Sequence, residues 1–133
     1  MGNLERLIER LPAGCDGALI LTPVNRHYFT GFRSSDGVLA VTRQGAAFYT
    51  DFRYIEAARA AIRGCPVHLI DRIADQLTAF FREREVLTVA IEADGMTVAE
   101  LAGYRKRMPA FEFLEDGRLS GVIAGLRMQK SPE

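Results

Sequence analysis

The stretch Val38-Leu39-Ala40-Val41-Thr42-Arg43-Gln44-Gly45-Ala46-Ala47-Phe48-Tyr49-Thr50 reads as two apolar strands joined by a short turn. The three-residue connection Arg43-Gln44-Gly45, with its glycine, is of the kind that links antiparallel neighbours, so residues 38–50 form a hairpin. Upstream, Gly17-Ala18-Leu19-Ile20-Leu21 is too short for a helix and is bounded by Gly17 and Pro23, which suits a strand covered on both faces. Before it, Leu4, Leu7, Ile8 and Leu11 repeat at helical spacing behind Asn3 as N-cap, and Pro12-Ala13-Gly14 ends the repeat.

Downstream of the hairpin the period changes. Tyr54, Ile55, Ala58 and Ile62 form a helical stripe with Asp51 as its N-cap, closed by Gly64 and Pro66. Val67 to Ile70 is the next strand, and Asp71 caps a stronger helix carrying Ile73, Leu77, Phe80 and Phe81. Thr88 to Ile91 is a further strand. Thr97-Val98-Ala99-Glu100 then has the spacing of a capping box, opening a helix to about Arg107. Phe111 to Leu114 completes the strands, and Leu119 to Leu126 is a short terminal helix. A hairpin followed by alternating helices and strands predicts an α/β fold: three layers, α/β/α, around a mixed five- to six-stranded sheet, with Leu77, Phe80 and Leu101 in its core.

With 133 residues, 48% of them hydrophobic, the chain is one domain with enough apolar mass to fold without a disulfide or metal staple. Seventeen basic residues balance seventeen acidic ones, which leaves no long-range field to recruit nucleic acid or an anionic membrane. Cys15 and Cys65 fit neither a zinc knuckle nor a redox pair and read as buried, reduced thiols. The N-terminus mixes charge with apolar residues, unlike a secretory leader, and no apolar run approaches the ~18 residues of a membrane span. The expectation is a soluble, cytoplasmic protein.

Catalytic motifs are missing one by one. No glycine cluster opens a helix after a strand as a phosphate loop requires, and Gly31 and Gly37 bracket Ser34 too widely for a hydrolase elbow. His27 and His68 stand alone in different elements, so no zinc pair forms. The first strand carries no acid, as a magnesium-dependent nuclease would need, and Leu21-Thr22-Pro23 lacks the acid pair of a phospho-acceptor domain. Glu92 and Asp94 read as a solvated turn. No catalytic residue and no metal ligand is therefore assigned. What remains is the long connection Asn25 to Asp36 together with Phe52-Arg53-Tyr54. Aromatic residues flanked by Arg concentrate binding energy at interfaces, so Tyr28, Phe32, Arg33, Asp36 and Arg53 are the candidate substrate-access or interface residues. The same aromatics can equally cover the core beneath a loop.

Four segments in order, Asn25-Arg26-His27-Tyr28-Phe29-Thr30-Gly31-Phe32, Ser35-Asp36-Gly37, Thr50-Asp51-Phe52-Arg53-Tyr54 and Leu126-Arg127-Met128-Gln129-Lys130-Ser131-Pro132-Glu133, make the chain resemble the N-terminal domain of the creatinase/prolidase/aminopeptidase P family of proline-directed metallopeptidases. The resemblance spans nearly the whole chain. It implies a ribonuclease H-like fold without nuclease chemistry. It also implies a larger C-terminal catalytic domain, absent here, holding two divalent metal ions on Asp, Asp, His, Glu and Glu ligands, none of which maps onto this sequence. Residues 1–126 would then be the N-terminal domain and 127–133 the start of the linker. The family suggests a homodimer in which this domain shapes or covers a neighbour's active site, and a peptide bond before proline as substrate. A creatinase-like amidinohydrolase parent, a stand-alone peptide-binding module and a small enzyme working from His27, Arg33 and Asp36 are the alternatives.

Overall fold

The computed structural model describes residues 2–128. Its helices are α1 (Asn3–Glu9), α2 (Pro23–Thr30), α3 (Ile55–Ala61), α4 (Ile73–Glu83), α5 (Val98–Arg107) and α6 (Arg118–Met128). Its strands are β1 (Gly17–Ile20), β2 (Val38–Thr42), β3 (Gly45–Thr50), β4 (Val67–Leu69), β5 (Thr88–Ile91) and β6 (Glu112–Leu114). They form one sheet in the order β4-β3-β2-β1-β5-β6. β2 runs antiparallel to both β1 and β3, while the β1–β5, β3–β4 and β5–β6 pairs are parallel. This is the mixed three-layer α/β/α sheet that the sequence predicts.

Side chains alternate across the sheet into two cores. Ala18, Ile20, Leu39, Val41, Phe48 and Ala90 pack with apolar residues of α1, α2, α3 and α6. Leu19, Ala40, Ala47, Val89 and Ile91 pack on the other face with Leu77, Phe80, Phe81 and Leu101 of α4 and α5. β1 is buried at every position, as its unbroken apolar run demands.

Several local readings change. The connection from Pro23 to Gly37 is no long loop, because its first half is α2. Thr22 is extended at the N-cap, Pro23 occupies the first turn, and Gly31 at φ 74° closes the helix through its N–H to the His27 carbonyl. The apolar period that would have marked this helix is broken because the inward-facing residues are Phe29 and Arg26. Arg26 is only 2% exposed; its guanidinium donates to the carbonyls of Gly37 (2.8 Å), Ser34 and Ser35 (both 3.1 Å).

Three expected N-caps are also displaced. Asn3 lies inside α1 and donates to the Tyr28 carbonyl. Asp51 organises a turn before α3, whose N-cap is Tyr54. Arg72, left-handed at φ 57°, takes the N-cap of α4 in place of Asp71. The Thr97–Glu100 capping box forms in both directions. In the hairpin Gly45 pairs with Thr42, so the connection shrinks to Arg43-Gln44. Cys15 is buried and Cys65 half-buried, both free, and burial pushes the Cys65 thiol up to about 11.

The edge strand β4 alternates. The Pro66 carbonyl accepts the Phe48 N–H and the Ile70 N–H donates to the Thr50 carbonyl, which turns the carbonyls of Val67 and Leu69 away from β3. Their carbonyls are taken by side chains, Arg59 Nε on Val67 (3.3 Å) and Gln76 Nε2 on Leu69 (2.9 Å).

Glu92 is not in a solvated turn. It is 2% exposed, and its carboxylate joins the end of β5 to the β1–α2 junction. Oε1 accepts the N–H groups of Leu21 (2.6 Å) and Thr22 (2.9 Å). Oε2 accepts the Thr22 hydroxyl (2.6 Å) and the Asn25 amide (2.7 Å). Gly95 completes the junction, since a Cβ there would stand 2.4 Å from Thr22 Cγ2. Asp94 stays exposed and accepts from Ser120 (2.6 Å).

Two substitutions test this architecture by chemical denaturation. Leu77, fully buried, should lose ~2–5 kcal/mol as Leu77→Ala, and a loss below ~1 kcal/mol would contradict its place in the core. Glu92→Gln presents an NH2 group to donors that need an acceptor and should cost about 2–4 kcal/mol, whereas near-neutrality would mean that the junction does not depend on the carboxylate.

Candidate functional site

The antiparallel and parallel pairings bring the ends of β1, β3 and β5 and the start of β2 to one end of the sheet. Two segments meet there, the 31–37 loop and the 51–54 turn. Arg26 fixes the loop from below by its three carbonyl contacts. Asp51 fixes the turn, because its carboxylate accepts the Arg53 N–H (2.9 Å) while its carbonyl accepts that of Tyr54 (3.1 Å).

The side chains then interlock. The Arg53 guanidinium bridges Asp51 (2.7 Å) and Asp36 (2.9 Å), tying turn to loop. The hydroxyls of Tyr54 and Ser35 lie 2.8 Å apart, and Phe32 meets the Tyr54 ring edge-on with centroids 6.2 Å apart. Arg53 also lies 5.2 Å from the Tyr54 ring centroid. Between the pinned residues 51 and 53, Phe52 is 80% exposed, an aromatic held out by backbone fixed on both sides. Hydrogen bonding to Arg53 holds the Asp51 carboxyl below the usual carboxylate range, and the hydrogen bond with Ser35 lowers the Tyr54 phenol.

Of the residues singled out from sequence, the structure brings Phe32, Asp36 and Arg53 together. Arg33 points elsewhere, exposed beside a groove lined by Pro23, Val24, His27 and Ser34, and makes no hydrogen bond or ion pair among the described residues. Tyr28 does not belong to the loop. It sits on α2 with its hydroxyl between Arg6 of α1 and the Leu126 carbonyl of α6. Asp51, Ser35 and Tyr54 complete the cluster and were not assigned from sequence. The two-residue spacing of Asp51 and Arg53 is the signal for such a turn, but it competes with a helix cap. Among the described residues no three His, Cys, Asp or Glu side chains converge to hold an ion, so no metal chemistry is derived from them. No helix of the described residues is long and apolar enough to cross a membrane.

The chain belongs to the Creatinase/Prolidase N-terminal domain family, whose family model matches residues 3–129. It is similar to the Uncharacterized peptidase YqhT of Bacillus subtilis (strain 168), with 32% identity over 136 residues covering 98% of this chain and 36% of that protein. Among solved structures it is similar to the Xaa-Pro dipeptidase from Bacillus anthracis (TM-score 0.86, 27% identity), covering 97% of this chain and 36% of that one. It is also similar to the N-terminal domain of cytoplasmic peptidase PepQ from Mycobacterium tuberculosis H37Rv (TM-score 0.80, 25% identity), covering 94% of this chain and 98% of that one. The chain thus spans about a third of the length of YqhT.

The Asp51–Arg53 contact has a titration signature. The Asp51 carboxyl should titrate below the ordinary range in the native protein and move up towards it in Arg53→Ala, read by carboxyl-carbon NMR. Because the folded value is the depressed one, the stabilising contribution is present above the unfolded carboxylate pKa and is lost as pH falls through the folded value. An unmoved titration would separate Asp51 from Arg53 in solution.

Proposed function

We propose that this chain is the non-catalytic N-terminal domain of a proline-directed metallopeptidase, an Xaa-Pro aminopeptidase or dipeptidase. In this reading it serves oligomerisation and substrate access to the active site of a C-terminal catalytic domain. That catalytic domain supplies the two divalent metal ions and the hydrolytic groups. The parent is a homodimer in the cytoplasm and acts on Xaa-Pro peptides.

The observation that carries the proposal is the family match over residues 3–129, joined to relatives about three times as long that are called peptidases. The names of these relatives favour Xaa-Pro peptides over the creatinase-like alternative. A peptidase called cytoplasmic supports the compartment.

The role in access rests on Arg33. Arg53 is committed to Asp36 and Asp51, which leaves Arg33 as the guanidinium able to offer a planar pair of donors to a peptide carboxylate or to a carboxylate of a partner. Phe52, 80% exposed, adds apolar surface at the neighbouring turn.

In the protein that carries the catalytic domain, Arg33→Ala should lower kcat/KM for an Xaa-Pro peptide by the equivalent of ~1–3 kcal/mol in transition-state binding, with metal content and unfolding midpoint unchanged. The 133-residue chain by itself should show no hydrolysis. If both Arg33→Ala and Arg53→Ala left the specificity constant intact, the loop would be a structural cover and assembly the domain's sole task.

A further inference from the structure

Where β3 and β4 meet α4, the structure leaves a groove of about 490 Å3 whose walls include Tyr49, His68, Gln76, Phe80, Glu83 and Arg84. Tyr49 and His68 stand opposite each other in the parallel β3–β4 register, with ring centroids 5.4 Å apart and planes tilted by 38°. Phe80 adds a third ring from α4, and the Arg84 guanidinium lies over it, 3.9 Å from its centre. Arg84 is held in that position, because its Nη1 donates to the Phe80 carbonyl (3.0 Å) and stands 3.6 Å from the Glu83 carboxylate. The Nε and Nη2 groups of the same guanidinium make no hydrogen bond or ion pair among the described residues. The groove shares no residue with the 31–37 loop or the 51–54 turn, so it stands apart from the candidate site.

Tyr49 is only 4% exposed, yet its hydroxyl makes no hydrogen bond among the described residues. A phenol taken from water without a partner is costly, and a buried tyrosine hydroxyl ordinarily finds one. Burial pushes the phenol above its usual value, against the pull of Arg84, so it stays protonated as a donor at neutral pH. Donors therefore outnumber acceptors here: a hydroxyl and the open edge of a guanidinium against Glu83, which already faces Arg84. We propose that the groove binds a small carboxylate carried on a flat aromatic body, with the Tyr49 hydroxyl and the Arg84 guanidinium donating to the carboxylate and the rings of His68 and Phe80 covering the body. The volume suits a small molecule. An extended peptide fits poorly, since it would add along β4, where Arg59 and Gln76 already hold the carbonyls of Val67 and Leu69. Gln76 is itself fixed, because its side-chain oxygen accepts the Asp71 N–H (2.8 Å).

Titrating the 133-residue chain with benzoate should give saturable NMR shifts centred on Tyr49, His68, Glu83 and Arg84. Benzamide keeps the ring without the charge, and acetate keeps the charge without the ring; each should bind about fivefold more weakly or worse. Tyr49→Phe should weaken benzoate binding by about tenfold, the loss of one hydrogen bond to a charged group, and leave the unfolding midpoint unchanged because the hydroxyl has no partner in the fold. Arg84→Lys keeps the charge but removes the planar pair of donors, and should weaken binding as well. Benzamide binding as tightly as benzoate overturns the carboxylate assignment, and acetate binding as tightly overturns the aromatic body. The site itself is overturned by the absence of saturable shifts, or by a benzoate affinity that neither substitution moves.

Discussion

A carboxylate buried at the end of β5 holds the molecule's two halves in register. Glu92 gathers two backbone amides, a hydroxyl and a side-chain amide, all from the junction where β1 gives way to α2. A charge at 2% exposure is tolerable only when donors surround it, and here four converge on its two oxygens. In many α/β sheets the gap beyond the carboxyl ends of adjacent parallel strands receives a ligand. Between β1 and β5 that gap is filled from within, by Glu92, Thr22 and Gly95. The loop and turn beyond β2 and β3 lie to the side of that filled gap.

From that junction the consequences run through α2. The helix starts where Glu92 fixes residues 21–25, ends at the left-handed Gly31, and delivers the chain into the 31–37 loop. Arg26, a cation in a core position, is affordable because loop carbonyls converge on it. The loop gains a fixed floor in return, on which Asp36 can meet Arg53 across 17 residues of chain.

How much of this was legible in the sequence follows from what the side chains bury. Elements with apolar interiors read correctly: β1, the hairpin, α4 and the capping box of α5 all announce themselves through period or reciprocal capping. α2 does not, since Arg26 replaces the apolar residue that periodicity needs, and only Thr22-Pro23 and Gly31 mark its ends. Glu92 was misread for a related reason. A carboxylate beside Asp94 and Gly95 has the composition of a solvated turn, and its four donors lie some 70 residues away in sequence. At the candidate site, residue types point to Tyr28, Phe32, Arg33, Asp36 and Arg53, of which Tyr28 instead joins α1, α2 and α6. Pairing was beyond reach, because which cation is neutralised and which stays free depends on the Asp51 turn, itself first read as a helix cap.

The outer carbonyls of β4 carry a different lesson. An exposed strand edge is a template on which another chain can add a strand, and sheets that grow this way end in aggregates. In this domain Arg59 from α3 and Gln76 from α4 already occupy the acceptors of Val67 and Leu69. A newcomer aligning along β4 would have to displace both side chains before it could donate to those carbonyls. Arg59 and Gln76 thus raise the cost of strand addition along β4, beside an exposed Leu69.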